Sequence, residues 1–333
     1  MINFKTKMQK IDLHQDIALS FANDISQFKT QELWVATHSR NAWWFADYKK
    51  ADLQVAFTSI WPYTISQNPD NPWQSIVKYD NNQISFYWQK HEQLRKENNV
   101  KLILNAKDMT DTKFMDFGLN FVYHLKWWDG ITGTDYIDKL YQAGIRSIQL
   151  VWEFDNKLAN CNRTPNGWIS EFSKDIISYM DQKRMIIDTA NMNHDSMTDV
   201  YKYTKNPIMN SHTNIKTLYN HSRNVSDDFL ELVARDEWII GLSLQSDFIW
   251  RPETTATIDE YMDQIQYVRD HVSDDQIAFG SWYHGIYHTK IVKWLENIEY
   301  LTVLEEKMVE RFGYKFTYKF FRENAYRFIM QTL

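Results

Sequence analysis

Eight short apolar runs, rich in valine, isoleucine, leucine and aromatic residues, alternate along the chain with longer amphipathic stretches. Most runs have the length and composition of buried β-strands, whereas the stretches between them repeat apolar residues three and four positions apart, as helices do. The predicted strands are residues 11–14, 54–60, 121–125, 147–152, 185–189, 207–212, 239–244 and 277–282, and the clearest predicted helices are 136–143, 169–183, 227–235 and 258–271. Alternating strands and helices form parallel sheets, and eight such strands predict an α/β fold, a (β/α)8 TIM-like barrel.

The main alternative is an open, doubly wound α/β sheet. That fold needs a glycine-rich phosphate-binding turn after its first strand, and the segment from His14 to Asp16 has no glycine. An extra apolar run at 100–104 precedes the third predicted strand and suggests an irregular edge. The sequence contains no internal repeat and no linker rich in Pro, Gly or Ser, so we expect one barrel domain over 1–333. From about residue 290 to 333 the pattern predicts C-terminal helices at 291–308 and 318–329, separated by Gly313.

Charge and composition exclude several classes of function. The formal net charge is −6 and the basic residues are scattered, which argues against nucleic-acid binding, since that function wants a basic face. Cys161 is the single cysteine, so a disulfide within the chain and a thiolate metal cluster are both excluded. No apolar run approaches the roughly 20 residues that a membrane span needs. The amino-terminal segment also lacks the apolar core of a signal peptide, and we therefore expect a cytoplasmic location.

Polar residues end two of the predicted strands, at the positions where barrels of this type carry their function. His14 and Asp16 follow the first run, and strand alternation places both side chains on the same side, where they suit a divalent metal such as zinc. His212 ends the sixth run, and Arg223 follows eleven residues later. An arginine near such a centre suits a substrate carboxylate. The alternatives are a hydrogen-bonded His–Asp pair and a loop–helix salt bridge for Arg223.

Further motifs, in order along nearly the whole chain, give it a specific resemblance. The motifs are Asp12-x-His14-x-Asp16, Gly144-Ile145-Arg146, Arg184-Met185-Ile186-Ile187-Asp188, Pro207-Ile208 through Ser211-His212-Thr213-Asn214 with Arg223-Asn224, Gly280-Ser281-Trp282-Tyr283-His284-Gly285, and Glu323-Asn324 through Arg327-Phe328. In these motifs the chain resembles the membrane dipeptidase (renal dipeptidase) family of zinc metallopeptidases. The resemblance implies a metallo-dependent hydrolase barrel, a two-zinc dipeptidase site and a homodimer.

Residue by residue, the resemblance implies that only part of this site is present. His14, Asp16 and His212 match zinc ligands of the family, and Arg223 matches the arginine that binds the dipeptide carboxylate. The other family positions are replaced: counting along the chain, the bridging Glu falls on Leu125, a second His ligand on Asn191, the carbonyl-polarising His on Trp152 and the catalytic Asp on Trp282. Leucine and tryptophan cannot ligate a metal, so the ordinary two-zinc mechanism is not expected.

Three nearby residues are candidate substitutes for the missing groups: His284 and Glu153 as metal ligands, and Lys126 as a carboxylated, metal-bridging lysine. His284 is a candidate because strand alternation would place it on the same side as Trp282, two residues earlier. The first functional hypothesis is a metallohydrolase with at most one divalent metal, zinc by resemblance, that acts on a small peptide or amide bearing a carboxylate. The second is a catalytically degenerate relative that binds a carboxylate-bearing metabolite or carries out non-peptidase chemistry on it. Both predict a small, dipeptide-like ligand as partner, without nucleic acid or membrane.

Overall fold

A ring of parallel strands organises the fold. The computed structural model describes residues 8–17, 43–68, 71–111, 118–127, 130–236, 238–251, 253–285 and 290–333. In chain order its strands are β1 (Lys10–Gln15), β2 (Leu53–Ile60), β3 (Tyr63–Asn68), β4 (Asn71–Tyr79), β5 (Lys101–Leu102), β6 (Asn120–Lys126), β7 (Ile145–Gln149), β8 (Ile186–Asp188), β9 (Met209–Thr213), β10 (Ile239–Leu242) and β11 (Ile277–Phe279). Within these ranges, eight parallel strands form one sheet in the order β1-β2-β6-β7-β8-β9-β10-β11. β5 pairs with β6 at the edge that the run at 100–104 suggested, and β3 and β4 form a separate antiparallel hairpin.

The sheet closes on itself just beyond β11. The Trp282 N–H donates to the His14 carbonyl at 3.0 Å, and the Asp16 N–H donates to the Tyr283 carbonyl at 3.0 Å. These bonds join the segment after the last strand to the end of the first strand. In an open sheet these two strands would be edges, each with one side that pairs with no other strand. The predicted (β/α)8 barrel is therefore confirmed, and the doubly wound alternative is excluded.

Helices surround the barrel and match the amphipathic stretches of the sequence. They are α1 (Trp43–Lys50), α2 (Asn81–Glu97), α3 (Ala106–Thr110), α4 (Thr134–Gln142), α5 (Glu171–Gln182), α6 (His194–Tyr203), α7 (Asp227–Arg235), α8 (Ser246–Ile249), α9 (Ile258–His271), α10 (Leu301–Phe312), α11 (Tyr314–Tyr318) and α12 (Asn324–Thr332). The four clearest predicted helices are α4, α5, α7 and α9, each within two residues of its predicted bounds. Among the helices described, none has both the length and the apolar character that crossing a membrane demands.

The C-terminal region departs from its predicted helix at 291–308. Its regular α-helix begins only at Leu301, because the preceding backbone pairs with loops instead. The Val292 N–H donates to the Leu244 carbonyl at 3.0 Å, and the Lys293 N–H donates to the Ala256 carbonyl at 2.8 Å. The predicted break at Gly313 is confirmed, since this residue adopts a φ of 81°.

A β-bulge on β1 aims His14 into the barrel. Asp12 pairs with Ala56 and Gln15 with Thr58, so β1 advances by three residues while β2 advances by two. Leu13 lies in the inner apolar cluster, the set of buried apolar side chains that includes Val55 and Val122. Because of the bulge, its direct neighbour His14 also faces the barrel axis. Bulges commonly re-aim a side chain next to a functional site, and this one does so.

A second irregularity, on β9, aims His212 inward. Asn210 pairs with Ile240 and Thr213 with Leu242, so Ser211 and His212 together face Gly241. The displaced Ser211 carbonyl comes so close that a methyl group on Gly241 would lie 2.1 Å from its oxygen, and one on Gly280 would lie 1.9 Å from it. Glycine at both positions therefore makes room for the bulge.

We predict that Gly280→Ala destabilises the protein by about 2 kcal/mol or more, because the added methyl overlaps backbone that cannot move freely. Urea unfolding followed by circular dichroism measures this change. The matched control is Gly133→Ala, whose methyl group would meet only the flexible Asp135 side chain, at 3.0 Å. Equal stability of the two variants would contradict the close approach at the β9 bulge.

Candidate functional site

Three imidazoles meet on the barrel axis at the carboxyl ends of the strands. The His14 and His212 rings stack with centroids 3.8 Å apart and an interplanar angle of 18°. His124, on β6, meets His14 edge-on at 5.3 Å. All three side chains are fully buried. The structure thus brings together His14 and His212, and Asp16 joins them with its Oδ1 3.6 Å from His14 Nε2.

Burial keeps these imidazoles neutral. It lowers the pKa of His14 and of His212 well below the ordinary 6.5, and nearby cations and imidazoles add to the effect. Burial, with Lys126 as the next cause, lowers the pKa of His124 to about 3. Neutral imidazoles have a free lone pair, so each can accept a hydrogen bond or bind a metal.

The Lys126 ammonium group lies among these rings. Its Nζ donates to Asp16 Oδ2 at 3.0 Å and to His14 Nε2 at 3.2 Å. It also lies 4.6 Å from the ring centroid of Trp61 and 4.8 Å from that of Trp282. Burial lowers the pKa of Lys126, and the Asp16 carboxylate opposes this shift. The centre of the barrel therefore holds an ion pair supplied by the chain itself.

The register of β6 corrects the position assigned to the bridging carboxylate. Counting along the sequence placed it at Leu125, but the Leu125 side chain packs in the outer core between strands and helices. Val122 lies in the inner cluster, and His124 and Lys126 follow it on the same face at intervals of two. The residue of β6 that faces the centre at this level is Lys126, the alternative that the sequence left open.

Asp16 has little capacity left for a metal. Besides the bond from Lys126, its Oδ1 accepts from Trp61 Nε1 at 2.9 Å and its Oδ2 accepts from Trp282 Nε1 at 2.8 Å. Trp282, on which the resemblance placed the family's catalytic Asp, thus contributes a hydrogen-bond donor to Asp16. Gly285 allows this approach, because a methyl group there would lie 2.0 Å from Asp16 Oδ2.

Asp188 ends β8 and takes part in the site, although the sequence motif that contains it did not mark it as a site residue. Its Oδ1 accepts from the N–H groups of Ala190 and Ser211, both at 3.0 Å, and its Oδ2 accepts from Ser211 Oγ at 2.5 Å. Ser211 Oγ in turn lies 2.7 Å from His212 Nδ1, which leaves the His212 Nε2 lone pair without a partner among the described residues. Burial raises the pKa of Asp188 to about 6. Its place at the end of an apolar run was the signal that could have identified it.

The donors of this centre do not fit two zinc ions. The His14 Nε2 lone pair and both Asp16 oxygens already accept hydrogen bonds, two of them from Lys126. A divalent ion about 4 Å from an ammonium group would be opposed by roughly 8 kcal/mol at an effective dielectric constant of about 20. Two zinc ions also need an anion between them to offset their repulsion, whereas Lys126 supplies a positive charge.

The two candidate substitute ligands lie outside this cluster. Trp282 and His284 both adopt positive φ, 64° and 67°, so strand alternation does not carry His284 to the centre. Its Nε2 lies 3.0 Å from the Tyr48 hydroxyl on α1. Glu153 forms an ion pair with Arg163 in the loop that follows β7. The structure therefore places neither residue beside the stacked imidazoles.

The remaining replaced positions line the mouth of the barrel. Asn191, buried and at a φ of 70°, accepts a hydrogen bond through Oδ1 from Gln149 Nε2 at 3.0 Å. Trp152 packs against Trp61 and Trp127, with ring centroids 5.6 and 5.8 Å apart. The indole rings of Trp61, Trp127 and Trp152 thus line the mouth of the barrel.

Arg223 is a buried cation near this mouth. Arg223 is only 6% exposed, and the ring centroids of Phe248 and Trp282 lie 5.4 and 5.8 Å from its Cζ. Among the described residues its guanidinium donates to the His212 carbonyl at 3.3 Å, and its Nε has no partner. Burial lowers its pKa to about 10, so it stays charged at neutral pH. A buried guanidinium with free donors suits an incoming carboxylate.

A closed parallel barrel with imidazoles and carboxylates at the carboxyl ends of its strands defines the class of metallo-dependent hydrolase folds. The family model for membrane dipeptidases (peptidase family M19) matches residues 3–332. The chain therefore belongs to the membrane dipeptidase family.

Individual relatives are distant in sequence. An uncharacterized dipeptidase of Schizosaccharomyces pombe is 29% identical over 195 residues, which cover 55% of this chain and 46% of that protein. Dipeptidase aclJ of Aspergillus oryzae is 26% identical over 186 residues, covering 54% of this chain and 44% of that protein. The chain thus spans about half the length of these curated relatives.

Solved structures share the fold over most of the chain. A metallopeptidase from Rhodobacter sphaeroides, liganded with a phosphinate mimic of the dipeptide L-Ala-D-Ala, has a TM-score of 0.81 at 15% identity, covering 98% of this chain and 99% of that one. The probable dipeptidase PvdM from Pseudomonas aeruginosa has a TM-score of 0.74 at 15% identity, covering 86% of this chain and 88% of that one. At such identities the likeness shows the barrel fold alone.

The buried imidazoles predict that stability falls with acidification. The pKa of His124 is about 3 in the folded chain against an ordinary 6.5, so below about pH 6.5 the unfolded chain binds the proton first. Each such group lowers the free energy of unfolding by about 1.4 kcal/mol per pH unit between pH 6.5 and 5. Burial raises the pKa values of Asp12 and Asp188 to about 6, so these two carboxyls stabilise the folded chain as the pH falls from 6 to 3.8. They are fewer than the buried imidazoles of His14, His124 and His212, whose effect is larger.

Urea unfolding at pH 6.5 and pH 5 tests this dependence in the wild type and in His124→Asn. We expect a smaller loss of stability in His124→Asn, by about one proton's contribution, roughly 1.4 kcal/mol per pH unit. The exposed His271→Asn is the matched control and should keep the wild-type slope. Equal slopes in His124→Asn and the wild type would refute a neutral, buried His124.

Proposed function

We propose that this chain binds a small peptide-like ligand through the ligand's free carboxylate, which Arg223 holds at the barrel mouth. Arg223 carries the proposal, because its guanidinium is buried and its Nε has no partner among the described residues. Among the described residues no carboxylate forms an ion pair with this buried cation, although Glu153 and Asp188 raise its pKa from farther away. A ligand carboxylate that bonds the guanidinium directly lowers the cost of burying its charge. The planar guanidinium also matches a carboxylate in two parallel hydrogen bonds.

The loop after β9 supports this arginine from below. Asn224 Nδ2 donates to the Tyr219 carbonyl at 2.9 Å and to the Phe248 carbonyl at 2.6 Å, so the loop is tied to α8. The Thr213 hydroxyl donates to the Arg223 carbonyl at 3.0 Å. Because its backbone is fixed on both sides, Arg223 meets a ligand with little further ordering, which favours affinity.

The shape and chemistry of the mouth support a ligand with apolar side chains beside its carboxylate. The rings of Trp152, Trp127 and Phe154 lie together on one side of the mouth, with centroids 5.8 to 6.3 Å apart. The Rhodobacter relative carries a mimic of L-Ala-D-Ala, so a dipeptide is the natural first probe. Hydrolysis is not expected, since an indole at Trp282 cannot transfer the proton that a catalytic carboxyl transfers, a contribution commonly worth about 10²–10⁴ in rate.

Isothermal titration with L-Ala-D-Ala and other dipeptides tests the proposal in the wild type and in Arg223→Gln. We expect Arg223→Gln to weaken binding by about 10- to 100-fold, the usual worth of a charge-assisted hydrogen-bonded pair. A dipeptide whose carboxylate is converted to the amide should show the same loss with the wild type. Arg163→Gln is the matched control, since Arg163 lies near the mouth, is mostly exposed and is paired with Glu153.

The carboxylate site is disproved if the acid and the amide bind the wild type equally, or if Arg223→Gln binds as the wild type does. No binding of any dipeptide in the panel by the folded wild type would likewise reject the proposed ligand class.

The competing function is a hydrolase with one metal. His14, Asp188 and His212 favour it, because one potential ligand atom from each lies within 4.8 Å of the others. Turnover of dipeptides with added zinc, followed by release of the free amino acid, separates the two functions. Turnover that His212→Ala abolishes would establish the hydrolase, whereas ligand binding without turnover supports the binding function.

A further inference from the structure

We propose that Lys126 is the resident cation of this barrel and that its ammonium group takes the place of a metal ion. The centre of the site is then complete without zinc. This inference goes beyond ligand binding at Arg223, and its readouts are metal content and thermal stability. Its failure and the failure of the proposed function are therefore distinguishable.

The ammonium group uses two of the acceptors that the family resemblance assigned to a metal, His14 and Asp16. Its Nζ lies 3.0 Å from Asp16 Oδ2 and 3.2 Å from the His14 Nε2 lone pair. Those two residues are the ligands that strand β1 offers to the barrel centre. A single positive charge beside one carboxylate leaves this pair neutral overall, as burial requires.

The two neighbouring indoles are arranged for an organic cation. The rings of Trp61 and Trp282 lie 4.6 and 4.8 Å from Lys126 Nζ, within the range of cation–π attraction. Their Nε1 atoms meanwhile donate to the two oxygens of Asp16. Each indole therefore contacts both members of the ion pair, and neither offers a lone pair to a metal ion.

A second buried lysine shows what a purely structural role looks like in the same barrel. Lys10 is as fully buried as Lys126, at the opposite end of the barrel strands. Its Nζ donates to the carbonyls of Met8 and Ala51, at 3.2 and 2.9 Å, and to Glu305 at 2.5 Å. Lys10 thus contacts backbone carbonyls and a carboxylate, whereas Lys126 contacts an imidazole lone pair. The contrast makes Lys10 the matched control.

A carboxylated Lys126 that bridges metals is the opposing possibility. It would form by attack of the neutral amine on CO2, with loss of one proton, and would replace the ammonium by an anion. That anion would lie beside the Asp16 carboxylate and against two ring faces that repel negative charge. The geometry therefore favours the ammonium form.

The experiment measures zinc content by inductively coupled plasma mass spectrometry and thermal unfolding with chelator or with zinc. We expect wild-type protein purified without chelator to hold less than about 0.1 zinc per chain, and its Tm to be the same in both buffers. Lys126→Glu, which places a carboxylate beside His14 and Asp16, should gain a zinc-dependent rise in Tm of about 5 °C or more.

Lys126→Met and Lys10→Met separate the metal-like role from the general cost of losing a buried lysine. Both should unfold at lower temperature than the wild type, and Lys10→Met should show no response to zinc. The proposal is overturned if the wild type binds a metal ion stoichiometrically, if zinc raises its Tm, or if native mass spectrometry finds CO2 on Lys126. It is also overturned if Lys126→Met is as stable as the wild type. Because the wild type alone can give the first three results, the test holds even if Lys126→Glu fails to fold.

Discussion

The buried ion pair between Lys126 and Asp16 sets the electrostatics of the whole barrel centre. Both side chains are inaccessible to water, so each charge depends on the other and on the groups around it. The indoles of Trp61 and Trp282 complete the shell, with edges toward the anion and faces toward the cation. Burial keeps the imidazoles of His14 and His212 neutral, and the nearby positive charge of Lys126 adds to this effect.

Arg223 is another buried cation, at the barrel mouth, and it differs from Lys126 in that no carboxylate of the described residues forms an ion pair with it. The Thr213 hydroxyl fixes the backbone of this arginine, and the residues that face the axis are joined to one another by hydrogen bonds. The left-handed backbone at Trp127, Asn191 and Trp282 marks the same mouth, since such conformations cost of order 1 kcal/mol or more and persist where surrounding contacts fix them.

Much of this organisation can be predicted from the sequence. The apolar runs locate the barrel strands, amphipathic periodicity locates the main helices, and the motif order identifies the family. His14, Asp16 and His212 do lie close together, because each ends a strand of one closed barrel. Periodicity fails where the backbone is irregular.

Three cases show the physical reason for that failure. A shift of one position exchanges the two faces of a strand, so counting alone chose Leu125 where the structure places Lys126. The bulges that turn His14 and His212 inward depend on pairing with neighbouring strands and leave no local signal. His284 was assigned by alternation, which does not apply to a backbone with positive φ.

Anomalous X-ray diffraction at the zinc absorption edge measures the content of the barrel centre most directly. The crystals should be grown from protein purified without chelator and then soaked in zinc. We expect no anomalous peak beside His14, Asp16 or His212, and Lys126 Nζ within hydrogen-bonding distance of Asp16. An anomalous peak about 2.0–2.2 Å from those ligand atoms, with Lys126 displaced or carboxylated, would contradict a barrel whose central cation is its own lysine.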